Sequence, residues 1–181
     1  KEIYEQPVVV AQTLQSYIRP LEMQVAMPQM DFDLSEVERV VIVACGTASY
    51  VGMIGKYWIE QMARLPVDVD VASEFRYRDP VLTGKVLGVV VSQSGETADT
   101  LAALRHMKAN GVTTAGIINV PTSSMAREVD LLLPTHAGPE IGVASTKAFT
   151  CQLAVMAALS VNLARAKGKM SAEQEREIVG D

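Results

Sequence analysis

The sequence predicts an α/β fold on a mainly parallel sheet, and three observations carry that prediction. Short runs rich in β-branched residues recur along the chain, and segments long enough for helices separate most of them. Most of the runs are near-continuously apolar, as strands covered on both faces are. The 181 residues amount to about one domain, and 49% of them are apolar, enough to enclose a substantial core.

In chain order, residues 8–18 follow Pro7 and carry apolar side chains at three- and four-residue spacing, the pattern of a partly buried opening helix. Pro20 and Pro28 then bracket a linker. Strands are expected at 40–43, 67–71, 86–91 and 114–119, with a fifth at 129–133. Helices are expected at 47–64 and 97–110, the latter with Gly111 as its C-cap, and a short turn at 123–127. The Ala/Leu/Val-rich stretch 145–166 forms the last long helix, its small residues permitting close packing on the sheet or on a partner helix. Residues 171–181 pattern as a helix still in progress at the last residue, and the first residue is not methionine, so a piece of a longer protein is expected. The chain divides into a helix and linker (1–34), the α/β domain (35–168) and the start of a C-terminal helix (169–181).

Composition narrows the function. A formal charge of −5 with no Lys/Arg cluster argues against nucleic acid, and any anionic ligand must be held mainly by oriented dipoles. No uninterrupted apolar run approaches the ~20 residues of a membrane span, and 1–7 lack the plan of a signal peptide, so a cytoplasmic protein is expected. Two cysteines and two histidines suit neither a disulfide framework nor a metal site.

In a parallel sheet, ligands settle beyond the carboxyl ends of the strands, where helix N-termini and free amides converge. The third strand runs directly into Ser92-Gln93-Ser94-Gly95-Glu96-Thr97 and a helix. With Ser94 as N-cap, Thr97 falls at N3, and two hydroxyls face the first-turn amides across one small volume. Half a positive charge at the helix end, unpaired N–H donors and a glycine without Cβ make that volume an anion site. The plainer alternative is a helix cap, with Glu96 complementing the dipole.

The loop after the first strand offers Gly46 for a tight turn and the hydroxyls of Thr47 and Ser49 for sugar or phosphate. Cys45 has no base beside it and fits a small buried residue. A third loop, 138–147, suits a wall of the same cleft. In it Lys147 fits an ion pair or the surface better than a Schiff base, and Glu140 is a weak general-base candidate; His106 and His136 are weaker still. The alternating charged and aromatic residues 72–78 suit an interface or ion-pair cluster. Neither the G-x-G-x-x-G loop nor the P-loop pattern is satisfied at Gly46 or Gly55, which disfavours dinucleotides and triphosphates.

Taken together, Ser92-Gln93-Ser94-Gly95-Glu96-Thr97-Ala98-Asp99-Thr100, Ala44-Cys45-Gly46-Thr47, Ser73-Glu74-Phe75-Arg76-Tyr77-Arg78 and Gly142-Val143-Ala144-Ser145-Thr146-Lys147-Ala148-Phe149-Thr150 resemble the isomerase part of the glucosamine-6-phosphate synthase family, also called glutamine–fructose-6-phosphate aminotransferase. The opening residues 1–7 fit as well. The resemblance implies a sugar isomerase (SIS) domain: a three-layer sandwich with a five-stranded parallel, flavodoxin-like sheet. It implies fructose 6-phosphate or glucosamine 6-phosphate held at the phosphate by Ser92, Gln93, Ser94 and Thr97, with Thr47 nearby. Gly46, Ser49, Val143 and Ser145 would stand beside the sugar.

No metal or organic cofactor is implied, and no catalytic residue in this chain. The family's lysine, glutamate and histidine come from a second SIS domain, the histidine from the neighbouring subunit of a homodimer, and a glutaminase domain supplies ammonia. The chain is then expected to bind without turnover. A sugar-phosphate sensor or regulator and an aminosugar-phosphate deaminase or isomerase are the alternatives on the same domain.

One departure stands out: the family commonly carries a phosphate-binding serine where Ala48 stands here, followed by Ser49. Either Ser49 substitutes through a shifted turn, or one hydrogen bond, worth ~1.5–3 kcal/mol to a charged acceptor, is missing.

Overall fold

A computed structural model describes residues 1–142 and 144–180, and among these described residues seven strands and seven α-helices form. In order they are α1 (Glu2–Gln15), β1 (Ile18–Arg19), β2 (Gln24–Val25), a 3-10 turn (Leu34–Glu36), β3 (Arg39–Ala44), α2 (Thr47–Met62), β4 (Val67–Val71) and α3 (Ala72–Phe75). After these come β5 (Val86–Ser92), α4 (Ala98–Ala109), β6 (Thr113–Ile118), α5 (Ser124–Glu128), β7 (Leu131–Pro134), α6 (Lys147–Ala166) and α7 (Ala172–Gly180).

The five β-branched runs form one parallel sheet in the order β4-β3-β5-β6-β7. Every residue of β5 is buried, as a central strand covered on both faces requires. Alternate side chains enter two cores. Val40, Ile42, Leu87, Val89, Ala115 and Ile117 pack under α2 and α6. Val41, Val43, Val90 and Ile118 pack against Phe75, Leu104, Met107 and Met125 of α3, α4 and α5 on the opposite face. The expected α/β sandwich with a five-stranded parallel sheet is therefore present.

Helix α6 is long and apolar enough by length and composition to cross a membrane. Of its most apolar stretch 72% is buried inside the fold, where α6 packs on α1 and α2.

Three expectations change. The opening helix begins at Glu2, not residue 8, and carries Pro7 in its interior. Its first turn persists because Glu2 accepts hydrogen bonds from the amides of Ile141 (2.6 Å) and Gly142, and Glu5 from the Lys147 ammonium (2.6 Å). The span between Pro20 and Pro28 is not a bare linker: Gln24–Val25 pairs antiparallel with Ile18–Arg19. That small ladder is clasped from the far end of the chain by Glu175 of α7, 1% exposed, which accepts from the Val25 amide (2.8 Å) and from Arg165 (2.9 Å). The third change, at the start of α4, belongs to the site.

Candidate functional site

Strand order reverses between β3 and β5, whose neighbours β4 and β6 lie on opposite sides, and the loops leaving these two strands diverge at their carboxyl ends. Between them opens a cavity of about 220 Å³, lined by Thr47 and Ala48 at the start of α2, Ser92, Gln93, Ser94 and Thr97 before α4, and Ser145 and Gln152 at and within α6, together with Cys45 and Val91. No described lining residue carries a charge; hydroxyls, amides and two carboxamides provide its polarity.

The loop holds itself in shape. Ser92 Oγ accepts from the Gly95 amide (2.9 Å) and lies 3.3 Å from Thr97 Oγ1, and Ser94 Oγ accepts from the Glu96 amide (3.2 Å). Thr97, not Ser94, is the N-cap of α4, and it makes no side-chain capping bond. The expected register slips by three residues because the Ser94 hydroxyl closes a tight turn onto Glu96 before the helix begins. The start of α4 is thus uncapped from its own sequence.

Glu96 does not complement α4. Its carboxylate accepts from the Ser124 amide (2.7 Å), so it serves the start of α5, and that donation holds its carboxyl below the ordinary value. Gly95 makes this approach possible. Its φ is +67°, and a Cβ there would stand 2.0 Å from Ser123 Oγ. The glycine accommodates α5 at close quarters rather than a ligand.

Several candidates leave the cavity. The Ser49 hydroxyl turns back onto the Gly46 carbonyl (2.6 Å), while Ala48 takes the place facing the cavity. The shifted turn that would bring Ser49 in does not occur: with α2 beginning at Thr47, its first and second residues line the cavity and its third does not. Gly46 supplies the turn before Thr47 without lining the cavity. Val143 lies outside the described residues.

Lys147 is buried and bonded to Glu5, which raises its pKa and keeps it cationic, the wrong state for a Schiff-base amine. Glu140 accepts from the amides of Thr146 (2.8 Å) and Ala148 (3.3 Å) and from the Ser145 hydroxyl (2.9 Å). Burial opposes its ionisation, but these donors outweigh burial and lower its pKa, so it caps α6 as a carboxylate instead of waiting as a base. His106 packs edge-on to Phe75, and His136 hydrogen-bonds Ser16 (2.9 Å); neither lines the cavity. In the 72–78 stretch, Arg78 pairs with Asp70 (2.5 Å) and Arg76 lies over the Tyr77 ring.

Gln152 escaped sequence reasoning. A polar residue within the apolar run of 145–166 was the available signal, but helix periodicity alone does not say that this face meets the cavity.

Comparison with known proteins agrees with this architecture. The SIS domain family model matches residues 33–162. The chain is 67% identical over 179 residues to a glutamine–fructose-6-phosphate aminotransferase (isomerizing) of Zymomonas mobilis and 57% identical over 180 residues to one of Bradyrhizobium diazoefficiens, matching 99% of its own length in each case. It spans about 30% of the length of these curated relatives. The solved C-terminal domain of glucosamine-fructose-6-phosphate aminotransferase from Francisella tularensis superposes with a TM-score of 0.94 at 42% identity, over 99% of this chain and 51% of that one.

Proposed function

The chain belongs to the SIS domain family, and on that premise we propose that it binds fructose 6-phosphate as the first SIS domain of an isomerising glutamine–fructose-6-phosphate aminotransferase. One observation carries the reading: an uncharged, hydroxyl-rich cavity opens at the reversal of strand order onto a helix start that no side chain of its own caps. A phosphate placed there accepts from the first-turn amides of α4 and from Ser92, Gln93, Ser94 and Thr97, with Thr47 alongside. Ser145 and the turn at Gly46 then flank the sugar, as does Val143 by the family resemblance.

Amination of the ketose at C2 and the proton shift that follows need an amine or base at the sugar. Lys147, Glu140, His106 and His136 are each committed elsewhere or distant from the cavity. We therefore assign this chain binding without turnover. In the longer protein, residues 35–168 form this domain, 1–34 its leading helix and connection, and 169–181 the approach to a second SIS domain. That second domain would supply the catalytic groups, and a glutaminase domain the ammonia, within a cytoplasmic homodimer.

Calorimetric titration of the chain with fructose 6-phosphate, unphosphorylated fructose and AMP tests the ligand class. Binding of the phosphosugar alone is expected; a preference for AMP overturns the assignment.

A further inference from the structure

Helix α6 buries four polar side chains: Lys147, Gln152, Ser160 and Asn162. Three are satisfied within the protein. Lys147 pairs with Glu5, Ser160 donates to the Met156 carbonyl (2.8 Å), and Asn162 accepts from Arg165 (2.8 Å). Gln152, 2% exposed, makes no hydrogen bond to any described residue. Gln152 lines the cavity together with Ala48, Thr47 and Ser145. Buried carboxamides are ordinarily paired, so one that lines a cavity with no partner among the described residues is a group whose partner can arrive with the ligand.

The chemistry of the group says which part of the ligand it meets. A phosphate dianion only accepts, and the 92–97 loop with the start of α4 already presents donors to it. A carboxamide both donates and accepts, which matches a hydroxyl or the carbonyl of a sugar.

We propose that Gln152 reads the sugar part of the ligand, its carboxamide hydrogen-bonding an oxygen on the carbon skeleton; the inference rests on the sugar-phosphate reading above. It makes Gln152 a specificity residue: the phosphate grip sets ligand class, and the carboxamide separates phosphosugars from other small phosphates.

Gln152→Met keeps the length of the side chain and removes both polar functions. The chain and this variant are titrated by calorimetry with fructose 6-phosphate and with inorganic phosphate, and the thermal midpoint of each is measured without ligand. The variant should bind fructose 6-phosphate about tenfold or more weakly, bind inorganic phosphate as before, and melt no lower than the wild type. Equal losses for both ligands, or no loss for either, overturn the inference. So does a lower melting point without ligand, which marks a structural amide. An unmodified chain that ignores fructose 6-phosphate sinks the sugar-phosphate reading and this inference with it, whereas a chain that binds it while Gln152→Met changes nothing sinks the inference alone.

Discussion

Two helix starts face the same cleft, and they are finished differently. The amides at the start of α6 are taken by a carboxylate of the protein's own, Glu140, reaching from six residues before Thr146. The start of α4 has Thr97 as an N-cap without a capping bond, and the acidic residue beside it, Glu96, is drawn away to α5. Both ends follow loops of glycines and hydroxyls, so composition does not separate them. What separates them is whether an internal anion already occupies the electropositive end. A helix start closed by its own carboxylate is a structural joint, and we propose that the one left open in the lined cavity takes an external anion.

The most severe way to break this contrast is to force Glu96 and α5 away from each other. Gly95→Ala places a Cβ against Ser123 in a left-handed conformation. Strain and overpacking together should cost about 3 kcal/mol, read as a lower thermal midpoint, and phosphosugar binding should vanish with the loop. An alanine variant that melts like the wild type would show that the close approach at α5 does not shape the loop.

Removing single donors is gentler. Ser94→Ala and Thr97→Ala should each weaken fructose 6-phosphate roughly ten- to hundredfold, the equivalent of ~1.5–3 kcal/mol for a hydrogen bond to a charged group. Neither change removes core volume, so melting should move little. Unchanged affinity in both variants would end the assignment of the open helix start to phosphate.

The closed helix start should respond in stability rather than binding. Glu140→Gln should cost about 1 kcal/mol, as loss of a good cap does. The pH dependence sharpens the point. The folded-state pKa of Glu140 is depressed, so its contribution is fully present above the unfolded carboxylate value near 4.5 and disappears as pH falls through the lower folded value. The stability difference between wild type and variant should therefore shrink on acidification below pH ~4.5. A difference that stays constant to pH 3 would mean that the carboxylate is not the cap. Smallest of all, Ser49→Ala should change phosphosugar affinity less than about twofold, because that hydroxyl is spent on Gly46.

Much of this molecule was legible before its structure. The five strands lie within a few residues of the β-branched runs, since central strands buried on both faces must be apolar throughout and local composition records that, while edge strand β4 alternates valine with aspartate. The Ser92–Thr97 loop announced itself because its hydroxyls, carboxamide and glycine follow directly on such a strand. That Lys147 would pair rather than react was also readable, although its partner Glu5, 142 residues away, was not.

The sequence by itself thus determined the α/β alternation, the parallel sheet and the segment that lines the cavity, all of which rest on patterns within a few residues of each other. Only the tertiary structure decided which hydroxyls and carboxylates remain available. It sent Glu96 to Ser124, Ser49 back to Gly46 and Glu140 to α6, and it seated Ala48 and Gln152 in the wall of the cavity. These are competitions for a limited number of amides and hydroxyls, some between groups far apart in the chain, and the winner is set by where packing brings backbones together.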